Sequence, residues 1–201
     1  VKHASTRLIF EYWNRQRGER SAPTRSEIDP AAIRYALGDT FMLAVDFIDG
    51  IRFRLAGTRV CALFGREIKG ELFNAIWSET SRARIPNIVS AAVNEAIGAV
   101  AGVIGRTENG AETELELLLL PVRRDGRTRV RALGSLAPLK VPYWLGEESV
   151  VELELQTLRH IGDMQSEAGV PQFRSGAGRH MRNSFLVYSG GRAIRPDDGT
   201  D

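Results

Sequence analysis

Cysteine, histidine and lysine are the scarce residues of this chain: among 201 positions there is one Cys, three His and three Lys. A single thiol, Cys61, cannot close an internal disulfide or supply the paired thiolates of a structural zinc site. So little use of cysteine suits a reducing, cytoplasmic compartment. Long apolar runs are missing as well. The longest, Leu115 to Val122, is interrupted by Glu116 and Pro121 and falls far short of the roughly 20 residues that cross a bilayer, so no membrane contact is expected. Neither charge sign dominates. Lys+Arg 27 against Asp+Glu 25 leaves +2, too weak a field to make the chain a nucleic-acid binder. The excess of Arg over Lys reads as codon composition, because guanidinium recognition needs clustering as well as number. The chain opens Val1-Lys2-His3-Ala4 with no apolar signal core and no initiator methionine, as a trimmed sequence would.

What is present is the composition of one globular core, 43% hydrophobic and 26% charged. Leu8, Ile9, Tyr12 and Trp13 fall on one stripe of a helix that Gly18 ends. Asp29-Pro30 is a helix start, as N-cap and first helical residue, and predicts a helix over Ala31 to Leu37. From Phe41 the period becomes two: Phe41, Leu43, Val45 and Phe47, then Asp49-Gly50, then Ile51, Phe53 and Leu55, a hairpin with Arg52 and Arg54 on its other face. Thr58 caps a short helix, and Leu72 to Trp77 makes a helical turn with Ser78 as the next cap. Ile85, Ile88, Val89, Ala92, Val93, Ala96 and Ile97 predict one long helix over Arg82 to Val100.

Three strand-type segments come next, Val100 to Thr107, Glu112 to Val122 and Thr128 to Leu136, separated by Asn109-Gly110 and Asp125-Gly126, dipeptides that suit two-residue hairpin loops. Glu112, Glu114 and Glu116 are placed opposite the Arg of the neighbouring strands, as a ladder of cross-strand pairs. Val151, Leu153 and Leu155 alternate as a further strand, with a helix as the alternative. Gln165 to His180 is polar and Gly-rich and reads as a flexible linker. Phe185-Leu186-Val187-Tyr188 is an apolar island able to dock on the body.

A hairpin, several short helices, one long helix and a three-strand meander is the order of elements of a PAS domain. Specific blocks carry the resemblance: Tyr12-Trp13, Pro23-Thr24-Arg25, Ile28-Asp29-Pro30, Phe53-Arg54-Leu55-Ala56-Gly57-Thr58, Phe64-Gly65-Arg66-Glu67 with Gly70, Leu115 to Pro121, and Gly190-Gly191-Arg192. Together they resemble the alphaproteobacterial PAS family once catalogued as a domain of unknown function. The resemblance implies an α+β fold, a five-stranded antiparallel sheet with helices on one face. A helical extension over 1–40 and a C-terminal extension over 141–201 would flank a core of 41–140. It also implies a sensory or interaction module, without fixing ligand or partner.

In that fold Phe53, Leu55, Trp77, Ile88, Val89, Val130 and Ala132 either line a ligand cavity between sheet and long helix or simply fill the core, and core filling is the simpler reading. Haem-binding members use a His on the long helix, whereas His3, His160 and His180 all lie outside it. Flavin photosensors use a reactive Cys in an Asn-Cys-Arg-Phe-Leu-Gln setting, unlike Val60-Cys61-Ala62. Neither cofactor is expected, nor a metal. Gly102-Val103-Ile104-Gly105 lies within a strand and reads as a bulge or close packing rather than a phosphate cradle. P-loop, HExxH and GxSxG signatures are missing, and His160 with Asp163 is the nearest approach to an acid and base pair. Arg123, Arg124, Arg127, Arg129 and Arg131 on one hairpin could hold a phosphorylated messenger such as a cyclic dinucleotide; neutralisation by the glutamates opposite is the simpler account. The sequence reading is therefore a non-enzymatic cytoplasmic signalling module working through other signalling proteins and a homodimer. In it, Leu8, Ile9, Tyr12 and Trp13 cover the sheet of the partner or of the same chain. A phosphorylated-messenger receptor and a small α+β enzyme stand as alternatives.

Overall fold

A computed structural model describes residues 1–46, 49–123, 130–161, 180–182 and 185–187. Phe47, the Asp125-Gly126 turn and the Gly-rich segment after Gln165, apart from His180, lie outside these residues. Helix α1 (Ala4–Arg17) begins at His3, whose Nδ1 accepts the Ser5 N–H at 3.2 Å, and stops at Gly18, which turns the chain with φ 56°. Thr6, Ile9, Tyr12 and Trp13 form its buried stripe. Three short 3-10 turns come after it, Arg25–Glu27, Pro30–Ile33 and Leu37–Asp39. The helix expected over 31 to 37 is thus a pair of tight turns. Asp29 caps the first of them by accepting the Ala31 N–H at 2.9 Å, but four residues of 3-10 structure satisfy the start signal before Gly38 intervenes.

Strands β1 (Thr40–Asp46), β2 (Gly50–Ala56), β3 (Gly98–Thr107), β4 (Glu112–Val122), β5 (Val130–Pro138) and β6 (Val150–Ile161) join two three-residue strands, β7 (His180–Arg182) and β8 (Phe185–Val187), in one sheet. Its order is β2-β1-β5-β4-β3-β6-β8-β7, every pair antiparallel. The expected five-stranded antiparallel sheet is therefore present, as β2-β1-β5-β4-β3, and continues past β3. The 151–155 alternation belongs to a twelve-residue strand. The β3–β4 connection has three loop residues, since the Thr107 N–H reaches the Ala111 carbonyl at 2.9 Å while Gly110 takes φ 83°. This is the bulged alternative to a two-residue turn.

Helices α2 (Thr58–Phe64), α3 (Glu79–Arg82) and α4 (Ile85–Asn94) lie between β2 and β3 in sequence. The single helix expected over 82 to 100 is divided and shortened. Ala96 takes φ 55°, and the Glu95 and Ile97 N–H groups both bond the Ala91 carbonyl, at 3.1 and 3.2 Å. That left-handed stop releases the chain into β3 two residues earlier than Val100.

Two apolar clusters fill the two faces of the sheet. On the inner face, Phe41, Leu43 and Val45 of β1 pack with Phe53, Phe73, Trp77, Ile88, Val89 and Ala132. On the outer face, Ile9, Tyr12 and Trp13 of α1 meet Met42, Val100, Leu118, Leu120, Val122 and Leu133. The doubly apolar stretch of β4 from Leu117 to Leu120 is buried on both sides for this reason. Burial of Ile9, Tyr12 and Trp13 contributes roughly 1.5–3 kcal/mol each. The inner cluster crosses residue 140, taking in Trp144, Val150, Leu153 and Leu155, and the outer one crosses residue 40.

Candidate functional site

The residues expected around a ligand cavity meet on the inner face with two exceptions. Phe53, Trp77, Ile88, Val89 and Ala132 share one cluster. Leu55 does not: it is 39% exposed. The β1–β2 register shifts between Met42 and Leu43, so Leu43 pairs with Phe53 and Met42 with Leu55, leaving Arg54 as an extra residue. A bulge of this kind reverses side-chain parity and sends Leu55 to the outer side with Met42. The Val130 side chain lies outside the described residues.

The centre of this face is closed by rings. Phe53 stands edge-on to both Phe41 and Phe73, at 5.6 and 5.4 Å between centroids, and Phe73 edge-on to Trp77 at 5.7 Å. Trp77 Nε1 is buried there without a hydrogen-bond partner. Free space opens further along, where a groove of about 150 Å³ runs between the ends of β1 and β2 and helix α4. Val45, Ile51 and Val89 form its apolar wall, and Asp46, Asn74 and Ser90 supply its polar groups. Asn74 Oδ1 is buried and has no hydrogen-bond partner. No sequence motif marks Asn74; it is found only because the 3-10 turn Phe73–Ile76 carries it to the groove.

On the outer face, the partner-contact stripe is engaged by its own chain. Ile9, Tyr12 and Trp13 are buried against the sheet and Leu8 is half-buried beside them. Trp13 Nε1 donates to the Pro121 carbonyl at 2.8 Å, and Tyr12 Oη bridges the Glu27 carbonyl and the Asp29 N–H. Two carboxylates secure the start of the helix. Glu116, expected in a charge ladder, instead accepts the Lys2 and His3 N–H groups at 2.7 and 2.8 Å from a buried position. Asp39 accepts from Ser5 Oγ at 2.5 Å and from Arg59 Nε and Nη2 at 2.7 and 2.8 Å. Burial pushes the Asp39 carboxyl up, but the Arg59 and Ser5 hydrogen bonds outweigh it and hold the group below its ordinary range.

Among the described residues the cross-strand ladder is reduced to one cation between two acids: Arg106 bonds Glu112 and Glu154. Both carboxylates raise its already high pKa, Glu112 first. Glu114 pairs in register with Ile104 and Glu116 with Gly102. Of the arginine run, Arg123 is exposed and Arg131 half-buried, with its Nε buried and unpaired; Arg124, Arg127 and Arg129 lie outside the described residues. His160 is half-buried on β6, opposite Ala99 of β3, while Asp163 lies outside the described residues. Cys61 is half-buried on α2, its thiol pushed up by burial. Among the described residues no three His, Cys, Asp or Glu side chains stand close enough to hold a metal ion, and no helix is long and apolar enough to cross a membrane.

A family model described as "PAS domain" matches residues 1–137, so the matched unit includes α1 and ends within β5. No curated protein matches the chain. Among solved structures, a light-oxygen-voltage domain studied with a flavin analogue aligns at 12% identity and TM-score 0.43 over 58% of this chain and 87% of its own. The PAS domain of a Colwellia psychrerythraea protein aligns at 18% identity and TM-score 0.38 over 55% and 97%. The light state of the blue-light photoreceptor Aureochrome1 LOV aligns at 14% identity and TM-score 0.40 over 58% and 91%.

Proposed function

The chain belongs to the PAS domain family, and on that premise we propose that it is a non-enzymatic cytoplasmic signalling module, of alphaproteobacterial type, that works through protein contacts as a homodimer. The observation behind this reading is where apolar side chains are left in water. The β5–β6 connection plugs Trp144 into the inner cluster and leaves Val141 and Tyr143 outward, 75% and 97% exposed, while Val151 at the start of β6 is 50% exposed. Three large apolar groups kept at a surface, on a segment anchored in the core, suit an interface more than a solvated loop. Such a contact is linked to the inner cluster through Trp144 and to α1 through the shared sheet.

Sedimentation equilibrium of the whole chain tests the proposal. A dimer that becomes monomeric in Val141→Asp/Tyr143→Asp, with an unchanged circular dichroism spectrum, is the expected result. A monomer across the micromolar range, or a dimer indifferent to both substitutions, would reject this interface.

A further inference from the structure

Two exposed surfaces flank helix α2, one at each end. At its start, a Cβ on Gly57 would overlap the Leu37 carbonyl and Arg59 Nη2 donates to the Tyr35 carbonyl at 3.0 Å, so the turns over 34–38 lie against the junction of β2 and α2. Tyr35, Leu37 and Leu55 are exposed there, as are Arg34 and Arg54. Residues 34–40 and 54–59 carry Arg34, Arg54 and Arg59 against a single acid, Asp39, which is buried and bonded to Arg59. At the other end of the helix, a Cβ on Gly65 would overlap Ser149, which brings the 141–152 segment against α2. That segment exposes Val141, Tyr143 and Val151, and its charged residues are Glu147, Glu148 and Glu152, with no Lys or Arg. The two surfaces are thus alike in apolar character and opposite in charge. The helix between Gly57 and Gly65 sets them about 12 Å apart, and its own exposed residues are Thr58, Arg59 and Ala62.

We propose that the 141–152 segment docks on the arginine-bearing surface of a second copy, the one formed by Arg34, Tyr35, Leu37, Arg54 and Leu55. The inference rests on the reading of Val141 and Tyr143 as a dimer contact and names the surface they meet. Contact of the segment with its own copy would set acid against acid, which opposes association. Turned about a two-fold axis beside α2, two copies instead lay the acidic segment of each on the arginine surface of the other. The contact is made twice and closes at a dimer.

Sedimentation equilibrium of the full chain tests the pairing with two charge reversals at exposed positions, Arg34→Glu/Arg54→Glu and Glu147→Arg. Each should weaken self-association at least about tenfold, because like charges then meet twice in every dimer. Mixed in equal amounts, the two variants should associate more tightly than either does alone: one contact of the mixed dimer is parental and the other is reversed on both sides. The unaltered dimer should loosen between about 50 mM and about 500 mM salt. Reversal of the arginine surface without effect, in a chain that Val141→Asp/Tyr143→Asp does dissociate, would overturn this pairing and leave the Val141 and Tyr143 contact standing. A mixture no tighter than its parts, or a dimer indifferent to salt, would also overturn it, and an unaltered chain that is monomeric would overturn both. If a variant fails to fold, the salt response of the unaltered chain decides alone.

Discussion

Without the Arg59 guanidinium, the Asp39 carboxylate would keep only the Ser5 hydroxyl among its side-chain partners while remaining 3% exposed. An unpaired buried charge is expensive, but Arg59 itself is half in water, which screens the pair. Arg59→Met should therefore cost roughly 1–3 kcal/mol in urea unfolding, and an unchanged midpoint would remove the pair from the stability account. The sign of the pH dependence is set by the depressed carboxyl. Unfolded Asp39 takes up its proton near the ordinary 3.8, and folded Asp39 only below that. The stability it adds is complete above that value and is lost as pH falls through the lower folded one. Glu27, held at about 2 by the Arg20 hydrogen bond and the Thr24 N–H, loses its contribution in the same direction between 4.5 and 2. Asp39→Asn should flatten the acid limb of stability below about pH 4, and an acid limb equally steep in that variant would show that other carboxylates set it. At this scale the sequence is least legible. Nothing in Leu37-Gly38-Asp39-Thr40 announces a buried acid, because its partners are 34 and 20 residues away. Leu55 is misassigned because alternation cannot register a bulge that appears only when the strand is paired.

Elements are more legible than their ends. The α1 stripe, the β1–β2 hairpin and the strands β3 to β5 are all predicted by apolar spacing, which reports the face that must be covered. Where a helix stops depends on a single backbone conformation that spacing does not encode, and Ala96 is the example. Its φ of 55° carries the Cβ penalty of the left-handed region, roughly 1 kcal/mol for a residue that is not glycine. Ala96→Gly should accordingly raise the unfolding midpoint, by up to about 1 kcal/mol in stability; a loss of stability would mean that the half-buried Ala96 methyl contributes more packing than strain. For α1 the relevant bond is Trp13 to the Pro121 carbonyl. Trp13→Phe keeps an aromatic ring in the outer cluster but leaves that carbonyl unpaired, at a cost of about 1–3 kcal/mol, readable as a lowered Tm. A variant as stable as the parent would show that α1 is held by area alone.

For the molecule as a whole, the sheet extends past the matched family region, and this decides how much chain one folding unit needs. Resemblance to a PAS domain predicted five strands and a core closing near residue 140, and the family match itself stops within β5, at residue 137. In the structure β3 pairs with β4 on one side and with β6 on the other from Gly98 to Thr107. The Leu153 carbonyl accepts the Ser78 N–H at 2.9 Å and the Leu155 N–H donates to Ser81 Oγ at 2.9 Å, which seals that side of β6 with the start of α3. Trp144, Val150, Leu153 and Leu155 are each 7% exposed or less. At roughly 1.5–3 kcal/mol per buried side chain, these four contribute on the order of 6–12 kcal/mol, comparable to the whole stability of a typical domain. A chain ending at Pro138 keeps the entire family match yet loses all four and leaves β3, still paired with β4, as an apolar edge strand prone to association. It should show no cooperative thermal transition and should aggregate, whereas a chain ending at Ile161 should unfold in one step with a Tm close to that of the full chain. A cooperative transition in the shorter chain would place β6 outside the folding unit and return the core boundary to the end of β5.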